Sequence, residues 1–251
     1  MIGPRLSALI VARNEEEELA GCLDSVTFAD EIVVVLDRCT DGSRAIAERY
    51  AKTIIEGAWE VEGPRRMAGI AACTGGWIFE IDADERASPE LGAEIRARIA
   101  DAPPGYFLVP IDNYIGDRLV RYGWGASWGT GAKACLFSRG TKRWGEQHVH
   151  PKIELSGQRR RLSTPIAHYV DRDISDMILR LDRYTTARAR DLRASGQIGS
   201  FSANFRRLFS RFYKCYVRRK GYREGGYGFL IALFAGLFPL LSFLKAKLER
   251  E

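Results

Sequence analysis

Two aspartates one residue apart, Asp82 and Asp84, directly follow the run Trp77–Ile81 (WIFEI). Mg²⁺ and Mn²⁺ prefer oxygen ligands, and in enzymes they usually bridge a few carboxylates to the phosphates of a substrate. Two carboxylates on either side of a small residue, Ala83, at the end of a strand can reach one ion directly or through water. The pattern therefore indicates a divalent metal site; the alternative is a solvated acidic turn.

A second polar cluster follows the β-branched run Glu31–Leu36. There Asp37 could accept a hydrogen bond from a nucleobase N–H, and Asp41-Gly42-Ser43 permits a tight turn into a helix. A third polar segment ends the first apolar run and would rim the same crevice; its residues are Ala12, Arg13, Asn14 and Glu15. Ordinary loop and helix-capping chemistry is the alternative for both segments.

The elements around these residues alternate between strand and helix patterns. Short apolar runs predict strands at Leu6–Ala12, Glu31–Leu36, Lys52–Glu56 and Trp77–Ile81. Helical patterns occur at Asp41–Tyr50, at Gly63–Ala72 and after the Ser88-Pro89 cap. This alternation predicts an α/β fold, a mostly parallel sheet with helices on both faces. Such sheets bind ligands at the carboxyl ends of their strands, where Asp37 and Asp82 lie.

The second half of the chain has a different pattern. Shorter strands are predicted at Tyr106–Tyr114, Arg118–Tyr122 and Ala132–Phe137, and a long helix at Asp173–Ala194. We therefore assign residues 1–200 to one α/β domain and residues 201–251 to a separate C-terminal segment. The five scattered cysteines have no metal-site spacing and fit a reducing compartment.

The formal net charge of the 251-residue chain, +6, is unevenly distributed. From Phe201 onward there are 11 Lys and Arg against 3 Asp and Glu, a local charge of +8, and the preceding residues carry −2. A basic segment that also contains an apolar stretch favours an anionic membrane surface as partner over nucleic acid.

The apolar stretch is Gly225–Leu244, which contains no charged residue and is long enough to span a bilayer. Basic residues on both sides would place both of its ends in the cytoplasm, and Gly236 and Pro239 would interrupt a straight span. We therefore expect a monotopic element, an interfacial or re-entrant helix on the cytoplasmic side. The alternative is a buried helix or a hydrophobic interface in a homo-oligomer.

Three segments in order, IVARNEEEELAGCLDSV, EIVVVLDRCTDGS and WIFEIDADERASPEL, resemble glycosyltransferase family 2 and its lipopolysaccharide-core glucosyltransferase branch. The resemblance covers most of residues 5–170. It implies the Rossmann-like GT-A fold, a nucleotide-sugar donor such as a UDP-hexose, Mg²⁺ or Mn²⁺, and inverting transfer to a hydroxyl. Combined with the C-terminal segment, it implies a lipid-linked saccharide acceptor and a location at the inner membrane.

The resemblance also implies roles for individual residues. Asp37 would contact the base, Asp82 the ribose or the metal, and Asp84 the metal and the diphosphate. The rest of the nucleotide pocket would be formed by Ala12, Arg13, Asn14, Glu15, Arg65, Arg66 and Ala83. Two departures concern details of donor contact: Arg38-Cys39 replaces the usual Ser-Gly-Ser, and Met67 replaces the usual Asn. Lys133 is a candidate for a cation that the family carries where this chain has Cys135.

An inverting transfer needs a group that takes the proton of the acceptor hydroxyl. The family has an acidic residue shortly before a Val-His-Glu string, and Glu146 with Val149-His150 matches it, although Pro151 replaces the final Glu. Glu146 is therefore the predicted base. Rival bases are Asp112 and Asp117.

The chain has three histidines, and each has more than one possible role. His150, with His148, could contact the metal or a phosphate, and hydrogen-bonded loop histidines are the alternative. His168 resembles a late His of the family, and its role stays open.

Two other functions fit parts of this pattern. A catalytically inactive relative could act as a membrane scaffold, although Asp82, Asp84 and Glu146 argue for activity. A nucleotidyltransferase would need a Gly-rich phosphate loop such as GxGxR near the N-terminus, and the sequence has none there.

Overall fold

The computed structural model describes residues 4–125, 129–146 and 152–249. By contact the chain divides into two units. The first comprises Met1–Ile111 and Ala132–His168, and the second comprises Asp112–Gly131 and Tyr169–Glu251. The separate C-terminal segment predicted at residues 201–251 was defined by membrane attachment, which these two units do not test. It stays a prediction.

The strands before residue 140 are β1 Leu6–Ala12, β2 Glu31–Asp37, β3 Thr53–Gly57, β4 Trp77–Asp82, β5 Glu85–Arg86, β6 Gly105–Ile115, β7 Arg118–Val120 and β8 Ala132–Ser138. The later strands are β9 Lys142–Trp144, β10 Ile153–Leu155, β11 Gln158–Arg161 and β12 Ile166–Asp171. The helices are α1 Glu16–Ser25, α2 Ser43–Ala47, α3 Glu62–Ala72, α4 Pro89–Ile99, α5 Ile174–Ala194, α6 Phe201–Tyr213 and α7 Gly226–Leu248. Between α6 and α7 lie a π-helical turn, Lys214–Arg218, and a 3₁₀ turn, Gly221–Glu224.

The first unit is built on a mixed sheet with the strand order β3-β2-β1-β4-β8-β6. β1, β2, β3 and β4 are parallel, whereas β8 is antiparallel to both β4 and β6. Every residue of β1 and β2 is buried, as expected for central parallel strands covered on both faces. The predicted α/β sheet with helices is confirmed.

Three differences from the predicted elements have simple physical causes. The helix predicted at Asp41–Tyr50 is wrong in length, because after α2 the chain tightens into turns and Lys52 N then bonds to Ile32 O in the sheet. The strands β5 and β9 were not predicted because they are only two or three residues long. β11 was not predicted because its sequence, QRRR, has no apolar alternation.

The second unit has its own core, formed mainly by α5 and α7. Met177 and Leu181 of α5 pack with Ile231, Phe234 and Phe238 of α7. Within the described ranges, α7 is the one helix long and apolar enough to cross a membrane, judged by length and composition, and 56% of its most apolar window is buried. This burial agrees with the buried-helix alternative for much of the stretch at 225–244, and membrane attachment stays a prediction.

Candidate active site

The carboxyl end of β1 lies between the two predicted aspartate positions. Val11 pairs with Asp82 of β4, and Ala12 pairs with Leu36, the residue before Asp37, on β2. Asp37 and Asp82 therefore lie on either side of the end of β1. This is the strand-end crevice that the sequence pattern predicts.

Hydrogen bonds join the loop after β1 to the loop after β2. Asn14 has a positive φ of 55°, and its Oδ1 accepts from Thr40 N at 2.8 Å. Glu15 N donates to Ser43 Oγ at 3.0 Å. Asn14 and Glu15 thus hold the two loops together, while Ala12 is buried and Arg13 is exposed on the same rim.

Asp37 is buried, and four donors surround its carboxylate. Oδ1 accepts from Arg38 Nε at 3.0 Å and from Trp59 N at 3.1 Å, and Oδ2 accepts from Arg65 Nη1 at 3.0 Å and Arg38 Nη2 at 3.2 Å. Burial alone would raise the pKa of Asp37, but the hydrogen bonds from Arg38 and the Trp59 amide outweigh it and lower the pKa. An ionised carboxylate has about four acceptor sites. A nucleobase N–H would therefore have to displace one of these donors, and Arg38, the more exposed arginine, is the easier to move.

Asp82 is held between two cations. Its Oδ1 accepts from Arg66 Nη2 and its Oδ2 from Lys133 Nζ, both at 3.0 Å. Burial alone would raise the pKa of Asp82, but the charges of Lys133 and Arg66 outweigh it and lower the pKa strongly. Lys133 therefore contacts the predicted acidic motif, although it lies on β8, about fifty residues away in sequence.

Asp82, Arg66 and Lys133 belong to a larger network of alternating charges, in which Glu80 and Lys142 are buried. Arg66 also bonds Glu80 Oε1 at 2.6 Å, and Glu80 pairs with Lys142. A cavity of about 140 Å³ opens beside this network, and Trp144 forms part of its wall. Arg66 and Lys142 both lie against the Trp144 ring, 4.9 and 4.8 Å from its centroid. The cations facing this cavity suit a diphosphate.

Asp84 faces a different partner. Its Oδ2 lies 3.3 Å from Nε2 of His168, the residue opposite Glu85 in the β5–β12 pairing. Burial alone would lower the pKa of His168, but the hydrogen bond and charge of Asp84 outweigh it and raise the pKa. Among the described residues no group of three or more His, Cys, Asp and Glu could hold a metal. Mg²⁺ is nevertheless commonly held by one or two carboxylates plus substrate phosphates, so this small donor set fits such an ion.

Glu146 is exposed and follows β9. Gly145 N donates to Lys152 O at 2.9 Å, and the Gly145 carbonyl lies against Gly63 near the start of α3. His148 and His150 lie outside the described residues. The rival bases Asp112 and Asp117 belong to the second unit.

Sequence reasoning missed several residues of this site. Glu80 could have been found from the sequence, because it is the one charged residue within the run WIFEI. Its contacts with Arg66 and Lys142 could not be predicted from their spacing. No sequence pattern pointed to Trp144. Its buried Nε1, like Nε of Arg65, has no hydrogen-bond partner within the part of the chain that the structure describes.

Comparison with known proteins adds the family. The protein-family model described as "Glycosyl transferase family 2" matches residues 7–212. The chain belongs to glycosyltransferase family 2. It is 28% identical to the lipopolysaccharide core biosynthesis glycosyltransferase LpsC of Rhizobium meliloti, over 96% of this chain and 91% of that one. It is also 26% identical to an uncharacterized glycosyltransferase of Rickettsia felis, over 98% and 90% of the two chains.

Among solved structures, S. aureus TarS is similar with a TM-score of 0.51 and 13% identity, over 88% of this chain and 46% of that one. Glucosyl-3-phosphoglycerate synthase from Mycobacterium tuberculosis, solved with Mn²⁺ and UDP, has a TM-score of 0.38 and 19% identity over 45% of each chain. This chain thus spans less than half the length of either solved neighbour. The predicted GT-A fold is confirmed, and the protein is a family 2 glycosyltransferase.

Proposed function

We propose that this glycosyltransferase moves a hexose from a UDP-sugar, with inversion, to a lipid-linked saccharide such as a lipopolysaccharide core. The observation that carries the proposal is the placement of Asp37, Asp82 and Asp84 at the ends of β2 and β4. The full-length similarity to LpsC supports the acceptor class.

In this proposal the nucleotide lies over the end of β1. Asp37 accepts from the base once Arg38 moves aside, and Arg13, Asn14 and Glu15 form the rim beside it. The ribose lies near Ala83 and Asp82. Arg66 and Lys133, which already bracket Asp82, stabilise the diphosphate by their charge.

Asp84 would hold Mg²⁺ or Mn²⁺, together with the diphosphate and with His168 or Asp82 nearby. Asp84 is the more available carboxylate, because both oxygens of Asp82 are paired with cations. When bound, such an ion neutralises charge that develops on the leaving diphosphate. His150 is a further proposed ligand, and it lies outside the described residues.

Glu146 would act as the general base. It is exposed two residues after Trp144, whose ring contacts Arg66, so an acceptor hydroxyl can approach it from solvent. An ionised carboxylate there removes the proton as the hydroxyl attacks the anomeric carbon.

The proposed membrane contact lies on α6. On α6 an exposed aromatic row recurs every four residues: Phe201, Phe205, Phe209 and Tyr213. The same helix carries Arg206, Arg207 and Arg211. An exposed apolar row beside basic residues is the pattern of an interfacial helix, which would bring the enzyme to a lipid-borne acceptor on the cytoplasmic face.

The donor assignment is tested by thermal shift. UDP-glucose, UDP-galactose, UDP-N-acetylglucosamine and GDP-mannose are each added to the full-length chain with Mn²⁺ or with EDTA. A metal-dependent rise in Tm for one UDP-sugar supports the proposal, because a ligand that binds only the folded state stabilises it. Stabilisation by GDP-mannose alone, or none by any nucleotide sugar, would contradict it.

A further inference from the structure

The second unit contains a cavity of about 490 Å³, and none of the residues that line it is named for sugar transfer. Its walls come from the end of α5, the start of α6, the middle of α7 and the loop at 197–199. Three arginines face it: Arg188 of α5, and Arg207 and Arg211 of α6. Phe238 and Pro239 of α7 form an apolar wall. The volume lies in the range of pockets that bind small organic ligands.

The cavity concentrates positive charge, and no acidic residue lines it. Arg188 makes no hydrogen bond or ion pair with any residue in the ranges 4–125, 129–146 and 152–249. Arg207 donates to Asn204 Oδ1 at 3.1 Å, and Asn204 is itself buried and anchored through Nδ2 to Ser200 O at 2.9 Å. Arg207 is therefore held at the cavity by a fixed neutral partner that leaves its charge uncompensated.

The electrostatics of Arg211 agree with this description. Burial lowers the pKa of Arg211, and the charges of Arg207 and Arg188 lower it further. Like charges held together in a partly dehydrated space destabilise one another unless an anion lies between them. At this cavity Arg188 and Arg207 have no anionic partner among the described residues, and Arg211 lies beside them.

We propose that this cavity binds a phosphate group that carries an organic substituent. The planar guanidinium group donates in a fork that matches phosphate oxygens, and three arginines can surround one phosphate. The volume exceeds that of the phosphate alone, and Phe238 and Pro239 provide an apolar surface for the remainder of the molecule. The site is independent of the sugar-transfer proposal, since none of its residues belongs to the candidate active site.

Two sources share this chemistry, a phospholipid headgroup and a soluble phosphate ester. The test therefore uses two probes on the full-length chain, glycerol 3-phosphate and monomeric dihexanoyl phosphatidic acid, with binding followed by isothermal titration calorimetry. Saturable binding of either probe is expected. Phosphatidic acid at least tenfold tighter would identify the lipid source, and equal affinities would identify a soluble ester. No binding of either probe would overturn the proposal.

The matched variants separate the cavity from general basicity. Arg188→Gln/Arg211→Gln removes two charges from the cavity, and Arg183→Gln/Arg190→Gln removes two exposed charges from α5 that do not line it. We expect the first pair to weaken the probe at least tenfold and the second less than twofold. Equal weakening by both would overturn the site.

Two further measurements separate loss of the cavity site from instability of the double variant and from failure of the donor site. The single variant Arg188→Gln, which breaks no described contact, repeats the test if the double variant is unstable, and unchanged probe affinity in it would also overturn the site. Metal-dependent stabilisation by the UDP-sugar is measured in the same samples. It should persist in the cavity variants, so a failed cavity and a failed donor site give different results.

Discussion

Asp82 and Asp84 are one residue apart, yet they have different surroundings. Asp82, 36% exposed, is paired with Arg66 and Lys133, whereas Asp84, 41% exposed, faces His168. The first carboxylate is therefore fixed in its ionised form as part of the charge network. The second is the one that a metal ion with its own substrate ligands can reach.

Replacement of Glu146 by Gln tests its proposed role as the general base. The amide keeps the size of the side chain but cannot take a proton, so sugar transfer should fall about 10²–10⁴-fold. Donor affinity, measured by thermal shift, should stay within about twofold. Normal turnover with weak donor binding would instead place Glu146 in the donor pocket and return Asp112 and Asp117 to consideration.

Glu31 gives a prediction about stability and pH. Burial alone would raise its pKa, but hydrogen bonds from Ser7, Thr74 and Gly75 lower the pKa from 4.5 to about 2. A carboxylate with a lowered folded-state pKa stabilises the fold above its unfolded pKa, and that stabilisation is lost as the pH falls from about 4.5 towards 2.

The measurement compares Tm across pH for the parent chain and Glu31→Gln. The variant should melt well below the parent at pH 6, and the difference should shrink below pH 4. Glu60→Gln, at an exposed residue, should show no such trend. A constant difference across the whole pH range would contradict the assignment.

The acidic residues of the site were predictable from sequence because they follow strands with a clear apolar pattern. Their partners were not. His168 lies 84 residues after Asp84 and Lys133 lies 51 after Asp82, and both contacts exist only because distant strands pair in the folded chain. Local spacing carries no information about such contacts.

At the scale of elements, the start of α3 sets the position of β9. A Cβ added at Gly63 would lie 1.8 Å from the Gly145 carbonyl oxygen, so any side chain there must displace the backbone. The Met67 sulfur on α3 accepts from Trp144 N at 3.4 Å. The departure from the usual Asn at position 67 therefore has a structural role beside the site.

Gly63→Ala should displace the Gly145–Glu146 backbone and lower sugar transfer about 10²-fold, because small misplacements of catalytic groups are costly. Gly76→Ala is the matched control, since a Cβ there contacts nothing within 4 Å. Activity assays and thermal melts on both variants check this. Equal activity in the two variants would show that α3 does not position Glu146.

The elements that sequence predicted well are the long or apolar ones. β1 was predicted with its observed bounds, and the Ser88 cap of α4 accepts from Leu91 N as its position suggests. Short or charged strands such as β5 and β11 form because neighbouring strands offer hydrogen bonds, and that cannot be read from their own residues.

At the scale of the whole chain, the two units were not predictable, because residues 112–131 join a unit that is otherwise formed by residues 169–251. The apolar stretch that suggested a membrane element packs largely within that unit as α7. An exposed aromatic row lies instead on α6, where Phe205 and Phe209 are 45% and 58% exposed.

Flotation with vesicles that contain anionic lipid tests this surface. Each large apolar side chain contributes about 1.5–3 kcal/mol when fully buried. Phe205→Ser/Phe209→Ser should therefore lower the membrane partition coefficient by at least about 10²-fold. Ile178→Ser/Leu179→Ser, which removes exposed apolar residues from α5, should have little effect. Equal loss in both variants would remove α6 as the contact surface.

The most direct test of the account is release of UDP from the preferred UDP-sugar by the full-length chain. We expect slow release that requires Mn²⁺ or Mg²⁺ and stops with EDTA. Asp84→Asn should lower it at least about 10²-fold while the melting temperature is kept, and Asp101→Asn, at an exposed residue, should leave it unchanged. Release that persists with EDTA, or that survives Asp84→Asn, would contradict a metal-dependent glycosyltransferase centred on Asp84.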